Sequence, residues 1–323
     1  MVAITSCAGH VPPFRIPTDV ICGQWGGGSK GVRSKAVAAR DDNAVTLAAS
    51  AAEAALDGRS DVGALFFAST THPYQYGESG PILLEMLDLP ERTHTATMSA
   101  SARAGMAGVR SALSHAEATG EPALVVASEV PAPEPGTERE KTAGAGAGAV
   151  LIEPTVDGGI VLASTANHAK PMLEAWQPPG GSRQSGDDRF DRDVGYVDTT
   201  VTAIRRALEA ADWETDDIDT VIISQPTPRY PGRVTRELGV DDDAVAASDL
   251  ARRTGNLGSA SPLAVLADAE LAPDNRVVVA GYGSGIADAM AFDIVTVPEW
   301  SSPTTGPEAT LTYIRYLKQI GAI

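Results

Sequence analysis

DVGALFFA (61–68) and DIDTVIIS (217–224) decide the fold of this chain. Each is a short apolar run just after an acidic turn, the pattern of a strand buried in a parallel sheet. An alanine-rich amphipathic segment precedes each of them, NAVTLAASAAEAAL (43–56) in one case and YVDTTVTAIRRALEAA (196–211) in the other. Downstream, a helix-like stretch leads in both cases to a second buried strand, PALVVASEV (122–130) or NRVVVAGYG (275–283). The first pair runs from 61 to 217, an offset of 156 residues, and the second from 122 to 275, an offset of 153. Solenoid periods are roughly 20–50 residues, so this is a different kind of repeat. It is a duplicated strand–helix–strand unit whose halves bury their sheets around shared helices. Taken alone, the pattern also fits two Rossmann-like halves.

At 323 residues, 43% of them hydrophobic, the chain can bury a large core. No apolar run approaches the ~18 residues of a membrane span. The opening MVAITSCAGHVPPFRIP reads as a first strand and lacks the layout of a signal peptide. Cys7 and Cys22 are too few for a disulfide framework or a zinc cluster, which makes a reducing cytoplasm the expected setting. The net charge is −17, with five Lys against twenty Arg. Such a field repels nucleic acid. It suits either an ordinary acidic protein or one adapted to a high-salt cytoplasm, where runs such as Asp241-Asp242-Asp243 stay hydrated.

Three glycine-rich segments need separate readings. GQWGGGSKG (23–31) has the order Ser29-Lys30-Gly31 and no apolar helix after it, whereas a phosphate-binding loop needs Gly-Lys-Ser/Thr opening a helix. AGAGAGAVLI (143–152) runs into a strand, and its small residues let another element approach the backbone. GYGSG (281–285) ends an apolar strand, where exposed backbone N–H groups can stabilise an oxyanion.

Seven segments in order resemble the archaeal 3-hydroxy-3-methylglutaryl-CoA synthase family of the thiolase superfamily. They are VAITSCAGHVPPFRI (2–16), ASTTHPY (68–74), SARAGM (101–106), SQPTPRYPGRVTRELG (224–239), TGNLGSASPLAVLA (254–267), GYGSGIADAMAFDI (281–294) and LTYIRYLKQIGAI (311–323). The resemblance implies an α/β thiolase-like fold in a duplicated five-layered α-β-α-β-α arrangement. It divides the chain into residues 1–165, residues 166–300, and a tail of 301–323 packing on the fold.

The family joins two acyl-CoA thioesters through a Cys nucleophile at a helix N-terminus, a Glu base and a His that polarises the acceptor carbonyl. In this chain those positions are Ala102, Thr70 and Ser224. Asn256 keeps its family identity, as does the Gly283-Ser284-Gly285 turn, the expected substrate-binding element. His72 is also kept, with a structural role implied. Ser99 and Ser101 flank Ala102 as alternative nucleophiles, but a serine needs a base within hydrogen-bond reach. None of His10, His72, His94, His115 and His168 stands at the family's His position.

The function expected from these readings is a non-catalytic acyl-CoA-binding or scaffold subunit of a condensing complex. The alternative is an active acyltransferase with a relocated Ser nucleophile, and a third reading is a sensor that holds an acyl-CoA without turning it over. The resemblance implies a homodimer, with an acetoacetyl-CoA thiolase and a zinc-ribbon/OB-fold protein as partners. No metal or cofactor is expected beyond a CoA or acyl-CoA ligand.

Overall fold

The computed structural model describes residues 1–154, 158–240, 244–245, 249–298 and 307–323. The acidic run 241–243 lies outside them. Nine strands build the main sheet: β1 (Val2–His10), β2 (Ala64–Ala68), β3 (His94–Met98), β4 (Ala123–Glu129), β5 (Gly146–Pro154), β6 (Ile160–Ala169), β7 (Thr220–Ile223), β8 (Arg276–Gly283) and β9 (Ile286–Ile294). Their order is β7-β8-β9-β6-β1-β5-β4-β2-β3.

The duplication is visible in the pairing. In the first half β2 runs parallel to β4 (Phe66 opposite Val125), and β4 runs antiparallel to β5 (Val125 opposite Val150). In the second half β7 runs parallel to β8 (Val221 opposite Val278), and β8 runs antiparallel to β9 (Val278 opposite Ala291). Val245 bridges Val221 in parallel, the counterpart of β3 beside β2. Within the main sheet the halves join where Ala3 meets Val161 and Ile4 meets Ile160 on β1 and β6. Strand β6 spans residues 165 and 166, so the division expected there falls inside a strand, and the second half starts with β6.

Four helices complete the layers: α1 (Ala44–Leu56), α2 (Ala104–Thr119), α3 (Asp198–Ala211) and α4 (Ser261–Asp268). Helices α2 and α4 lie between the two halves. Val109, Leu113, Leu263 and Leu266 share one core with Phe66 and Val125 of the first half and with Val279 and Phe292 of the second. Strand periodicity turns Leu65 and Phe67 to the opposite face, where Leu47 and the alanines of α1 cover them. Ile204 and Leu208 of α3 cover Val221 and Ile223 in the same way. Five layers result, and burial on both faces explains why the repeat strands read as unbroken apolar runs. Asn43 caps α1, its Oδ1 accepting the N–H of Val45 at 2.8 Å.

The AGAGAGAVLI segment becomes β5, and its glycine has a packing cause. A Cβ on Gly148 would stand 2.6 Å from the Ala264 backbone N and 2.8 Å from the Leu263 Cβ, so α4 rests directly on the strand. A Gly148→Ala variant is therefore expected to lose about 2 kcal/mol of stability through overpacking, read from urea unfolding.

GQWGGGSKG runs from the last turn of a helix, Thr18–Trp25, towards a strand, Ser34–Val37, the reverse of the strand-to-helix order of a phosphate loop. Ser34–Val37, Phe14–Pro17 and Ala309–Thr310 form a small second sheet. The tail helix Tyr313–Gln319 packs on it through Tyr316 and Leu317, against Ile16 and Val37. No helix among the described residues is long and apolar enough to cross a membrane.

Candidate functional site

The N-terminus of α2 points into a cavity between the halves. Ala102 sits two residues before the first residue of the helix, and the Ala104 N–H donates to the Ser101 carbonyl at 3.0 Å across the turn that carries it. Ala100 just upstream holds φ at 76°, a left-handed conformation uncommon outside glycine. Gly283 at the end of β8 packs against this turn. A Cβ there would lie 2.7 Å from the Arg103 N and 2.9 Å from the Ala102 N. The helix start is further tied to the second half by Arg103, whose Nε stands 2.5 Å from the fully buried Asp288 carboxylate of β9. The shape that presents residue 102 is thus intact, although its side chain is a methyl group.

The cavity has two adjoining lobes of about 190 and 310 Å³, with Ala102, Glu174 and Asn256 among the residues that line both. Thr70, Ser101 and Ser284 line the inner lobe, so five of the residues singled out in the sequence meet here. The others do not. Ser99 is exposed and lies outside the cavity wall. His72 stacks edge-on to Phe67 at 5.0 Å, away from the cavity. Ser224, expected at the family's His position, is 3% exposed, and its Oγ accepts the Tyr282 N–H at 3.2 Å. Its carbonyl accepts the Tyr196 hydroxyl at 2.7 Å. Tyr196, Tyr230 and Tyr282 pack with ring centroids 5.1 and 5.7 Å apart, and these tyrosines line the outer lobe in place of Ser224.

Four charged residues of the inner lobe were missed in the sequence. Glu129 closes β4, buried beneath Thr70. Its carboxylate accepts the Thr70 N–H at 2.9 Å and hydroxyl at 2.8 Å, and the Ser259 N–H at 3.2 Å and hydroxyl at 2.6 Å. With four donors, this carboxylate knits three segments together. A lone acid ending the apolar run PALVVASEV was the signal for it. Glu174 takes the Ser284 N–H at 2.7 and 2.9 Å, so the amide expected to face a substrate oxyanion already serves an internal anion. Arg139 and Arg183 line both lobes. Burial, then the neighbouring Arg183, hold Arg139 below the usual guanidinium range, against the pull of Glu129. Nothing in the polar stretches carrying Arg139, Glu174 and Arg183 marked them.

Neither lobe is lined by Cys or His among the described residues. Cys7 lies in the core, where burial pushes its thiol well up and its Sγ faces the Leu263 carbonyl. Cys22 belongs to the Thr18–Trp25 helix. The Ser101 hydroxyl has no carboxylate or imidazole bonded to it among the described residues.

Residues 208–294 match the family described as 3-oxoacyl-[acyl-carrier-protein (ACP)] synthase III C terminal. Hydroxymethylglutaryl-CoA synthase of Methanocella arvoryzae is 26% identical, over 98% of this chain and 94% of its own. That of Aeropyrum pernix is 28% identical, over 92% and 86%. Among solved structures, 3-oxoacyl-(acyl carrier protein) synthase III from Pseudomonas aeruginosa superposes with a TM-score of 0.84 at 20% identity, covering 92% of this chain and 99% of that one. A Xanthomonas campestris OleA variant with bound lauric acid and lauroyl-CoA does so with a TM-score of 0.80 at 19% identity, over 91% and 98%. A fold held in common with the synthase III structures, and sequence relatives along nearly all its length, make the chain a thiolase-like protein, a homologue of the archaeal hydroxymethylglutaryl-CoA synthases.

Proposed function

We propose that the protein holds a CoA thioester in this cavity without taking the acyl group onto itself, as a non-catalytic acyl-CoA-binding or scaffold subunit of a condensing assembly. The observation that carries the reading is Ala102: the helix N-terminus and the cavity are kept while the nucleophilic atom is not. The base and carbonyl-polarising positions agree with it, because Thr70 is bonded to Glu129 and Ser224 is buried behind Tyr282. Acyl transfer by a relocated serine rests on Ser101 alone, without a bonded base to draw off its proton.

A calorimetric titration with acetyl-CoA and acetoacetyl-CoA, run in molar KCl beside a CoA-release assay, tests this. Binding without release above the uncatalysed rate is expected. Release that disappears in a Ser101→Ala variant would establish turnover and overturn the reading.

The setting that goes with this function is a high-salt cytoplasm, in keeping with the net charge of −17. The assembly is a homodimer built on β3, whose outer edge is open and which packs with the helix Gly80–Met86, where Ile82 and Met86 are exposed. An acetoacetyl-CoA thiolase and a zinc-ribbon/OB-fold protein are its partners.

A further inference from the structure

We infer that residues 171–194 are a lid on the cavity, latched shut by Lys30, and that the salt concentration around the protein sets how often the lid opens. The inference concerns access to the cavity and holds whatever ligand the cavity takes.

The segment walls the cavity without being packed into the fold. Not one of residues 171–194 is buried, although Glu174, Ala175 and Arg183 line both lobes. Segments with few buried apolar contacts open at well below the free energy of global unfolding. Local bonds make this one a unit: Ala175 pairs with Ser185 and Trp176 with Gln184, and the Gly186 N–H donates to the Glu174 carbonyl at 3.0 Å. A cleft of about 470 Å³ lies between its tip, residues 177–185, and residues 132–139 of the opposite wall.

Both ends of the segment are fixed at one place. The Lys170 N–H donates to the Gly285 carbonyl at 2.8 Å. The Lys170 ammonium pairs with Asp198 of α3 and donates to the Val194 carbonyl at 3.3 Å, which ties the base end to end. The exit runs through Asp191–Val197, a π-helical stretch, and this rare geometry, found mostly at functional sites, supplies the hinge.

One side chain reaches the lid from the fixed wall. Lys30 stands in the glycine-rich segment 23–31, which is anchored by the Lys141 Nζ, donating to the Gly26 carbonyl at 2.6 Å, and by the buried Val32 just after it. From there the Lys30 ammonium pairs with Glu138 of the wall and, at 2.6 Å, with Asp188 of the lid. No second ion pair joins the lid to the opposite wall among the described residues. The Lys30 side chain is 33% exposed, and those of Glu138 and Asp188 are 50% and 65% exposed. Pairs so open to water are weak, and the screening length falls from about 10 Å at 0.1 M salt to about 3 Å at 1 M. The latch therefore holds in dilute salt and yields as salt rises. The glycine-rich segment, which is no phosphate loop, has its use in placing this lysine.

Iodoacetamide labelling of the thiol in an Ala102→Cys variant reads access to the cavity with no ligand bound. The reagent is uncharged, so salt acts on the protein and not on the encounter. In about 0.1 M KCl, adding Lys30→Gln or Asp188→Asn is expected to speed labelling roughly two- to fivefold, as the loss of an exposed ion pair allows. In about 2 M KCl the three rates should coincide, because screening has already released the latch. Comparison at each salt cancels the effect of salt on the thiol itself. Asp188→Asn leaves Lys30 on Glu138, which separates the latch from any part Lys30 plays in shaping its own segment, and gives a second variant if Lys30→Gln fails to fold. Equal rates in dilute KCl, a gap that persists in concentrated KCl, or an effect of Lys30→Gln that Asp188→Asn does not share would each overturn the inference. All three outcomes leave the CoA-binding reading standing.

Discussion

An Ala102→Cys variant is expected to take up the acyl group of acetyl-CoA as a covalent thioester, where the natural chain gains no adduct. The position has what a reactive thiol needs. It lies two residues before the first residue of α2, whose dipole favours an anion at that end. Thiols at such ends have values of roughly 3.5–7.5 instead of about 8.5, and each unit of lowering gives about tenfold more thiolate near neutrality. There is room for the sulfur, because Ala102 faces both lobes. Turnover should still be absent. Thr70 cannot remove a methyl proton, and Ser224 is buried against the Tyr282 backbone, so the adduct should accumulate. Intact-mass spectrometry after incubation with acetyl-CoA reads it directly, with iodoacetamide labelling as a measure of the thiol itself. Alkylation no faster than that of Cys22, with no acetyl adduct, would mean that the cavity does not bring a thioester to residue 102.

Architecture was legible because it rests on patterns that local physics imposes. Strands such as Ala64–Ala68 are buried on both faces, so apolar runs and their repetition along the chain were direct readouts of the sheet. The place where the halves meet was harder to see. The β1–β6 junction pairs two residues from each strand, and residue 165 lies in the middle of β6, where no Gly or Pro marks a boundary. The site was legible where it consists of main-chain shape: the start of α2, the turn after β8 and the Asn256 loop. It was not legible where side chains from distant loops converge. Arg139 and Arg183 are 44 residues apart (183 − 139) in polar stretches with no periodicity, and only the tertiary fold puts them on one cavity. Ser224 shows the opposite failure. It was expected on the cavity, but its hydrogen bonds go to the Tyr282 N–H and the Tyr196 hydroxyl, which leave it behind the wall.

A Lys35→Met variant is expected to unfold less readily than the natural chain at pH 6, by about 2–3 kcal/mol, with the gap closing as the pH rises to 9. Lys35 is 2% exposed, and burial lowers its amine from 10.5 to about 7; the Glu140 carboxylate opposes that shift and Arg139 adds to it. The native chain therefore binds this proton less tightly than the unfolded chain does. A depressed ammonium destabilises the fold fully below pH 7, by roughly 5 kcal/mol at ~1.4 kcal/mol per unit, and the penalty fades between pH 7 and 10.5. Losing the bonds to the Glu140 carbonyl and the Tyr316 hydroxyl takes back about 1–3 kcal/mol. Buried groups held above their usual range, Cys7 and Tyr196, pull the other way at high pH. They are common to both proteins and cancel in the difference. Urea unfolding of both proteins at pH 6, 7, 8 and 9 measures that difference, and curves that run parallel across the window would show that Lys35 keeps its proton in the fold. A charged amine held in the core at such a cost has a structural use. It ties Ser34–Val37 to the Glu138–Thr142 helix and to the tail helix through Tyr316, and so fixes the backbone that carries Arg139 into the cavity. The methionine variant, although more stable at pH 6, should then bind acetyl-CoA more weakly than the natural chain, because the cavity wall at Arg139 depends on the contact that was removed.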